Sequence, residues 1–303
     1  MSNSDKSSTN YNLKVEPVVE ARALLGEGAI WDSRKNLLYW VDIMQGLVHT
    51  YNPVNGQNST IEVGQYVGTV VPRHNAELML ALKNGFASLN PSTGKVTMII
   101  NPEAHLPGNR FNDGKCDPAG RFWAGTISLN QEKGAASLYC LHTDLTVQKM
   151  IDNVTISNGL VWSSDYKTFY YIDTPTSEVA AYDYDMETGK ISNRRVAITV
   201  PKVEGSPDGM AIDAEDKLWI AHYGGSQVVR WNPQTGKKMQ SIKLPVSQPT
   251  SCAFGSEHLN DLYITTCREN MKEDKLQDEP LSGALFRVSG MPVKGVISYV
   301  FKG

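Results

Sequence analysis

The stretch Asp213-Ala214-Glu215-Asp216-Lys217-Leu218-Trp219-Ile220-Ala221 joins a polar turn to a short run of apolar and aromatic residues. The same combination occurs five more times, in residues 32–41, 75–82, 117–125, 163–172 and 260–266. Turn residues followed by β-branched, aromatic and aliphatic side chains predict a strand that begins directly after a turn. The six copies therefore predict six equivalent strands in a repeating architecture.

A second repeat has the form Asn-Pro-x-x-Gly. It occurs at residues 52–56, 90–94 and 232–236, with a variant that begins with Asp at residues 185–189. Proline fixes φ and glycine permits positive φ, so these segments are predicted hairpin turns. Units of several short strands that recur about every 40 to 50 residues indicate a β-propeller, whereas a β-sandwich needs no turn chemistry at that period. No segment shows a sustained helical period with caps.

We therefore predict an all-β protein with a single six-bladed β-propeller domain at residues 13–303. The polar segment of residues 1–12 is predicted to be a disordered tail. It has no apolar core of the kind that secretory signals carry. The four cysteines are scattered and are predicted to be reduced, buried thiols, as in a cytosolic protein.

Composition excludes some classes of partner. Of the 303 residues, 41% are apolar and 20% are charged, and the formal net charge is −3. This balance gives no electrostatic basis for binding nucleic acid or an anionic membrane. No stretch approaches the roughly 20 apolar residues that a membrane span requires. We predict a soluble, cytoplasmic protein that binds neither nucleic acid nor membranes.

Polar residues recur at the start of the innermost strand of each predicted blade, where every blade faces the same channel. These positions are Gly26-Glu27-Gly28, Gly68-Thr69, Asn112-Asp113-Gly114, Asn158-Gly159, Asp208-Gly209 and Thr250-Ser251. Their common register predicts that Glu27, Asn112, Asn158 and Asp208 surround one axis. Carboxylate and amide oxygens suit a hard divalent cation, which would also relieve the repulsion between the two carboxylates. The sequence thus predicts a metal site in the central channel.

Several of these residues also have simpler interpretations. Taken singly, each Asn-Gly or Asp-Gly pair is typical of an ordinary turn. Arg110 lies two residues before Asn112, so an extended strand would point both side chains to the same side, although a surface salt bridge is the alternative. His222 follows a predicted strand of the fifth blade, and we expect it to be a packed or surface histidine and not a metal ligand.

Four segments together resemble the family of the gluconolactonases and of regucalcin, which is also called senescence marker protein. They are residues 26–31, 109–115, 156–160 and 207–210. The resemblance extends from about Val15 to the last residue. It implies a six-bladed propeller that hydrolyses sugar-acid lactones with one divalent metal ion, which is calcium, zinc, magnesium or manganese. Luciferin-regenerating enzymes of insects belong to the same superfamily.

The resemblance also implies roles for individual residues. Glu27, Asn158 and Asp208 match the family's metal ligands, and Asp208 matches its proposed catalytic general base. Arg110 and Asn112 match substrate-binding residues, and Asp113 lies beside them. On this basis we expect a small-molecule lactone as substrate. A metal-activated water would attack the lactone carbonyl, with Asp208 taking a proton from it.

One segment departs from the family pattern. The loop at residues 128–136 is short, and Asn130 stands where the family has a glutamate thought to contact substrate, while Glu132 lies nearby. The family pattern therefore predicts neither the preferred sugar nor a lid over the site. Two other functions are compatible with the same residues: a calcium-binding regulatory protein without turnover, and a hydrolase of other esters or organophosphates.

Overall fold

The computed structural model describes residues 13–303, so the predicted disordered tail at residues 1–12 lies outside the described residues. Its sheets are six antiparallel blades of four strands each. The first three blades are β2(Gly26–Asp32), β3(Leu37–Asp42), β4(Leu47–Asn52), β5(Gln57–Glu62); β6(Val67–Pro72), β7(Leu78–Leu82), β8(Gly85–Leu89), β9(Val96–Ile100); and β10(Asn109–Cys116), β11(Phe122–Ser128), β12(Ala136–Leu141), β13(Val147–Val154).

The remaining blades follow the same plan, with the first strand of the chain placed in the last blade. They are β14(Ser157–Trp162), β15(Thr168–Asp173), β16(Glu178–Tyr184), β17(Ile191–Thr199); β18(Ser206–Ile212), β19(Leu218–Tyr223), β20(Gln227–Asn232), β21(Lys237–Lys243); and β22(Pro249–Gly255), β23(Asp261–Thr266), β24(Leu285–Ser289), β1(Lys14–Val19). Short helices occur at Thr174–Thr176, Lys202–Glu204 and Glu273–Asp278. In the part of the chain that the structure describes, no helix has the length and apolarity needed to cross a membrane.

The blades form a closed ring. The innermost strands contact one another in the order β2, β6, β10, β14, β18 and β22, and β22 contacts β2 again. Strand β1 pairs antiparallel with β24, from Lys14 opposite Ser289 to Val19 opposite Leu285. The last blade is therefore completed by the first strand. The all-β six-bladed propeller predicted from the repeats is confirmed.

Both sequence repeats have structural counterparts. The six runs that follow polar turns are β3, β7, β11, β15, β19 and β23, which is the second strand of every blade. The Asn-Pro-x-x-Gly turns connect the third and fourth strands of their blades. In each, the glycine has positive φ, as at Gly56 (φ 70°) and Gly236 (φ 65°), and its N–H donates to the carbonyl four residues earlier. The turn sequence thus sets the hairpin geometry at the outer edge.

Buried carboxylates at the end of the inner strands hold the second strands in place. Asp213, at the turn after β18, accepts hydrogen bonds from the backbone of Glu215 and Lys217, from Trp219 Nε1 at 2.9 Å and from Arg230 Nε at 2.8 Å. In the third blade the buried Asp117 accepts comparable bonds from Arg121, Trp123 and Tyr184. Each of these carboxylates is paired with a cation and fully hydrogen-bonded, as buried charges need to be.

The last residues of the chain cross the end of the channel at which the inner strands finish. Backbone hydrogen bonds join Lys294 to Ala214, Phe301 to Pro72 and Lys302 to Gly120, so this segment contacts the fifth, second and third blades. Residues 296–299 cover a small apolar cavity of about 50 Å³ lined by later residues of the inner strands. Cys116 and Cys252 lie there, and all four cysteines are buried and unpaired as predicted.

Candidate functional site

A β-bulge interrupts the innermost strand of every blade at the position that the sequence repeat singled out. Pairing between β2 and β3 shifts between Glu27 and Ile30, and the shift between β18 and β19 falls between Pro207 and Met210. The other four inner strands shift register at the matching place. A bulge leaves one residue unpaired and redirects its side chain, so these bulges turn polar groups toward the channel.

The bulges of the first, third, fourth and fifth blades contribute side chains to one cavity of about 280 Å³. Its wall includes the predicted residues Glu27, Arg110, Asn112, Asn158 and Asp208. All five side chains are buried, with 4 to 7% of their surface exposed. The structure therefore brings together the predicted metal ligands and two of the predicted substrate-binding residues, although they come from four different blades.

Asp113 occupies a different place. Its side chain is buried (3% exposed), and it is not part of the cavity wall. Its Oδ1 accepts the backbone N–H of Gly114 at 2.7 Å, whereas its Oδ2 has no hydrogen-bond partner among the described residues. We therefore regard Asp113 as a charge behind the wall, and its predicted contact with substrate remains a prediction.

A chain of hydrogen bonds crosses the site from the third to the fifth blade. Arg110 Nη1 donates to Asn112 Oδ1 at 2.7 Å, and Asn112 Nδ2 donates to Asn158 Oδ1 at 3.1 Å. Asn158 Nδ2 donates to Thr174 Oγ1 at 2.8 Å, and that hydroxyl donates to the carbonyl of Pro207 at 2.9 Å. Each amide has its oxygen and nitrogen fixed by its neighbours, because only one orientation satisfies the whole chain.

Three carboxylates lie close together beside this chain. Burial, followed by the charges of Glu27 and Asp113, raises the pKa of Asp208 well above its usual range. Burial and the charge of Asp113 raise the pKa of Glu27 to about 8. The Oδ1 atom of Asp208 is buried and has no hydrogen-bond partner within residues 13–303. Such a group needs a proton or a cation, because an isolated buried charge is strongly disfavoured.

Glycines allow the inner strands to come close together around the carboxylates. Gly28 has φ of 60°, a conformation that other residues rarely adopt. A Cβ atom at Gly159 would lie 2.7 Å from the carbonyl oxygen of Asp208. A larger residue at either position would push the neighbouring blade away and widen the site.

Arg110 presents an unused donor face to the cavity. Its Nη1 also donates to the carbonyl of Phe111 at 2.9 Å, which leaves Nε and Nη2 without partners in the described part of the chain. Burial lowers the pKa of Arg110, and among the charges that counteract this effect Glu269 acts most strongly, ahead of Glu27. The alternative of a surface salt bridge for Arg110 does not apply, because the side chain is buried (7% exposed) and forms no ion pair with a described carboxylate.

Several residues of the cavity wall were not identified from the sequence. They are Leu25, Ile127, Gln131, Ile156, Thr174, Ser206, Tyr223, Glu269 and Asn270. A signal for two of them existed in the repeat. Adjacent strands are antiparallel, so the end of a second strand lies beside the start of the first. The ends of β15 and β19 would have pointed to Thr174 and Tyr223.

The short loop between β11 and β12 contributes Gln131 to the wall. Neither Asn130 nor Glu132, the two residues considered from the family pattern, is part of the wall. Gln131 has φ of 53°, which places it at the turn of the loop. An amide thus stands in the region where the family pattern led us to look for a carboxylate.

His222 is a packed residue, as expected. It is fully buried, its Nδ1 lies 3.0 Å from the carbonyl of Glu204, and its Nε2 accepts from Trp231 Nε1 at 3.3 Å. Burial lowers its pKa to about 4. Both ring nitrogens are therefore occupied within the fifth blade.

The donor set fits a cation even though it is not a conventional metal cluster. In the described range 13–303, no group of three or more His, Cys, Asp and Glu residues is arranged to hold a metal. The predicted ligands are instead two carboxylates and one amide oxygen, from Glu27, Asp208 and Asn158. The unpartnered Asp208 Oδ1 and the mutual repulsion of the carboxylates are what a bound cation would satisfy. The metal site itself remains a prediction.

Comparisons with known proteins identify the family of this chain. The family model described as "SMP-30/Gluconolactonase/LRE-like region" matches residues 25–268. Regucalcin of Xenopus laevis is 41% identical over 297 residues, which covers 96% of this chain and 99% of the relative.

Two solved structures have the same fold over nearly their full length. A luciferin-regenerating enzyme superposes with a TM-score of 0.90 at 34% identity, covering 96% of this chain and 100% of that one. A calcium-binding protein, regucalcin, from Agrobacterium tumefaciens also gives a TM-score of 0.90, at 27% identity, covering 95% and 97% of the two chains. With its six bulged inner strands and its shared cavity, this chain belongs to the SMP-30/gluconolactonase/LRE-like family.

Proposed function

We propose that this protein is a divalent-metal-dependent lactonase that hydrolyses sugar-acid lactones of the gluconolactone type. The observation that carries the proposal is the buried, unpartnered Oδ1 of Asp208 on the wall of a cavity shared with Glu27, Asn158 and Arg110. A base with a free acceptor, an oxygen donor set and an arginine with unused N–H groups are the parts that ester hydrolysis requires. Membership of a family that includes gluconolactonases supports the same reaction class.

Glu27, Asn158 and Asp208 would hold the divalent ion. When bound, the ion would polarise the lactone carbonyl and make water more acidic. The hydrogen bond from Asn158 Nδ2 to Thr174 keeps the amide oxygen of Asn158 available on the side of Asn112 and the cavity. Glu27 accepts the N–H of Gly28 at 3.0 Å, which fixes its carboxylate on the bulge.

Asp208 would act as the general base. It accepts a proton from the attacking water while the water oxygen forms a bond to the carbonyl carbon. When the ring C–O bond breaks, the same carboxyl returns the proton to the departing ring oxygen. The product is an open-chain aldonic acid, which ionises and releases one proton to solution. A positioned base of this kind contributes roughly 10²- to 10⁴-fold to the rate.

Arg110 and Asn112 would position the substrate. The free Nε and Nη2 groups of Arg110 can donate to ring or hydroxyl oxygens, and the hydrogen bond to Asn112 keeps the guanidinium in place. Because this interaction is available to the ground state and the transition state alike, replacing Arg110 by methionine should raise KM more than it lowers kcat.

The test is a pH-indicator assay with D-glucono-δ-lactone and chelator-stripped protein. Zinc, manganese, magnesium and calcium are added back separately, and acid release is compared with the spontaneous rate. Metal-dependent release above that rate supports the proposal and ranks the ions. No turnover with any ion, in protein shown to bind metal, would refute it or point to other esters or organophosphates as substrates.

A second candidate is calcium binding without turnover, favoured by the description of the Agrobacterium tumefaciens neighbour as a calcium-binding protein. Titration calorimetry with calcium separates the two functions. A regulatory protein would bind at micromolar free calcium, whereas binding only in the millimolar range would exclude that role. A cytoplasmic location and the absence of nucleic-acid and membrane partners remain predictions.

A further inference from the structure

Glu269 lines the cavity but serves no evident purpose in the fold. It follows β23 and belongs to the same wall as Arg110 and Asp208. It is partly exposed, and within the described residues no hydrogen bond or ion pair engages its carboxylate. A carboxylate without a structural partner at the wall of a binding cavity is available to act on whatever enters it.

With the proposed cation bound and without Glu269, the cavity would favour anions. Arg110 has a free face of N–H donors and no ion pair, and arginine binds carboxylates and phosphates through such a face. Glu269 is the carboxylate that acts most strongly on Arg110. It therefore counteracts the one positive side chain of the wall without occupying its hydrogen-bonding face.

The sum of the charges on the cavity wall also indicates that Glu269 opposes anion binding. The charged side chains that line it are three acids, Glu27, Asp208 and Glu269, and one base, Arg110. With the proposed divalent cation these charges sum to zero. Removing the charge of Glu269 would leave the cavity with a net positive charge, which would attract anions.

We propose that Glu269 is a charge-selecting residue, which weakens the binding of anions to the cavity and so favours neutral polyhydroxylated lactones over phosphorylated or carboxylated ones. The inference rests on the proposed function for the identity of the substrates. It also predicts that the aldonate product, itself an anion, leaves the site more readily than it would without Glu269.

The first experiment measures binding, so that its result does not depend on turnover. Dissociation constants of D-gluconate, an anion, and D-sorbitol, its neutral counterpart, are measured by calorimetry with metal-loaded protein. Glu269→Gln should bind D-gluconate roughly fivefold more tightly than the unmodified protein, because like charges at short range in a hydrated site repel by about that factor. The difference should shrink in high salt, and D-sorbitol binding should stay within about twofold.

Glu273→Gln is the matched control. This residue is exposed, lies four positions further along the chain at the start of the short helix Glu273–Asp278, and is not part of the cavity wall. Its substitution changes the net charge equally and should leave both dissociation constants unchanged. Equal D-gluconate affinity in Glu269→Gln and unmodified protein would overturn the inference. So would a failure of Glu269→Gln to bind D-gluconate at all.

The second experiment compares kcat/KM for D-glucono-δ-lactone and its 6-phosphate. The ratio of the neutral to the phosphorylated substrate should fall roughly fivefold in Glu269→Gln. An unchanged ratio with both lactones hydrolysed would contradict the charge selection and leave the proposed function intact. Hydrolysis of neither lactone with any metal would contradict the proposed function, while the binding experiment would still decide the role of Glu269.

Discussion

Two aspartates five residues apart show how one strand can carry both a structural and a functional carboxylate. Asp208 lies on the bulge near the start of β18, and Asp213 lies in the turn just after its end. Both are buried, with 6% and 0% of their surface exposed. Asp213 accepts four hydrogen bonds, two of them from Trp219 and Arg230, whereas Asp208 has an oxygen without a partner and faces other carboxylates.

The difference indicates that burial alone does not identify a functional acid. A buried carboxylate whose acceptors are all filled by donors stabilises the fold, because removing it would leave those buried donors without hydrogen-bond partners. One with unused acceptors and like-charged neighbours costs folding free energy, and it is retained for a ligand or a reaction. The two aspartates should therefore respond in opposite ways to the same substitution.

The largest effect is expected for activity in Asp208→Asn. Lactone hydrolysis by metal-supplied protein should fall by roughly 10²- to 10⁴-fold, because asparagine cannot accept the proton of the attacking water. The free energy of unfolding of the metal-free protein should be unchanged or increased, since an unpaired buried carboxylate is removed. Initial rates and urea denaturation measure the two quantities. Activity near that of the unmodified protein would eliminate Asp208 as the base.

Asp213→Asn should show the reverse pattern. The new amide would place N–H donors against the donors of Trp219 and Arg230, and Arg230 would lose its buried partner. We expect a loss of about 3–5 kcal/mol in the free energy of unfolding. The kcat per folded molecule should stay within about twofold. Urea denaturation at matched metal concentration measures the loss, and a change below about 1 kcal/mol would contradict the structural role.

Metal binding should stabilise the protein, and the size of the gain should depend on pH. An ion at 100 times its dissociation constant adds about 2.7 kcal/mol to the free energy of unfolding. Binding requires ionised carboxylates, and in the metal-free protein the pKa of Glu27 is about 8. The gain from added metal should therefore grow as the pH rises from 6 to 8. Thermal unfolding with and without metal measures it.

The metal-free protein should show the opposite trend through Glu27. This group is protonated in the folded state up to a pKa of about 8 but ionises in the unfolded chain near 4.5. The contribution of Glu27 to stability is fully present below its pKa in the unfolded chain, and it is lost as the pH rises toward its pKa in the folded protein. With chelator present, raising the pH from 5 to 8 should therefore lower the free energy of unfolding of the unmodified protein relative to that of Glu27→Gln. A constant difference would show that the pKa is not raised.

A smaller effect is expected at Thr174, the hydroxyl that ends the hydrogen-bond chain. Thr174→Val removes the donor to the Pro207 carbonyl and the acceptor of Asn158 Nδ2. A single neutral hydrogen bond contributes about 1 kcal/mol, so metal affinity and kcat/KM should fall roughly fivefold. Thr174→Ser keeps the hydroxyl and should restore both. Equal losses in the serine and valine variants would show that packing, and not the hydrogen bond, is responsible.

The repeat in the sequence was sufficient to predict the blades, because turn chemistry and strand runs are local properties. It also predicted that Glu27, Asn112, Asn158 and Asp208 share one cavity, although the matching positions of the second and sixth blades do not line it. The repeat did not reveal that Asp113 lies behind the wall, since neighbouring residues on a bulge can face different sides. Nor did it reveal Glu269 or Gln131, because these lie in loops whose position depends on how the chain continues beyond the second strand.

Strand β1 gives the molecule an order of assembly. Its partner β24 lies about 270 residues away, whereas every other blade is built from consecutive strands. During synthesis five blades can form as they emerge, but the ring closes only when both ends of that long loop are present. Contacts between residues so far apart in sequence slow folding, and an unpaired β1 offers an open edge until then. We therefore expect the pairing of β1 with β24 to be the step of folding at which misassembly occurs most often and chaperones are most needed.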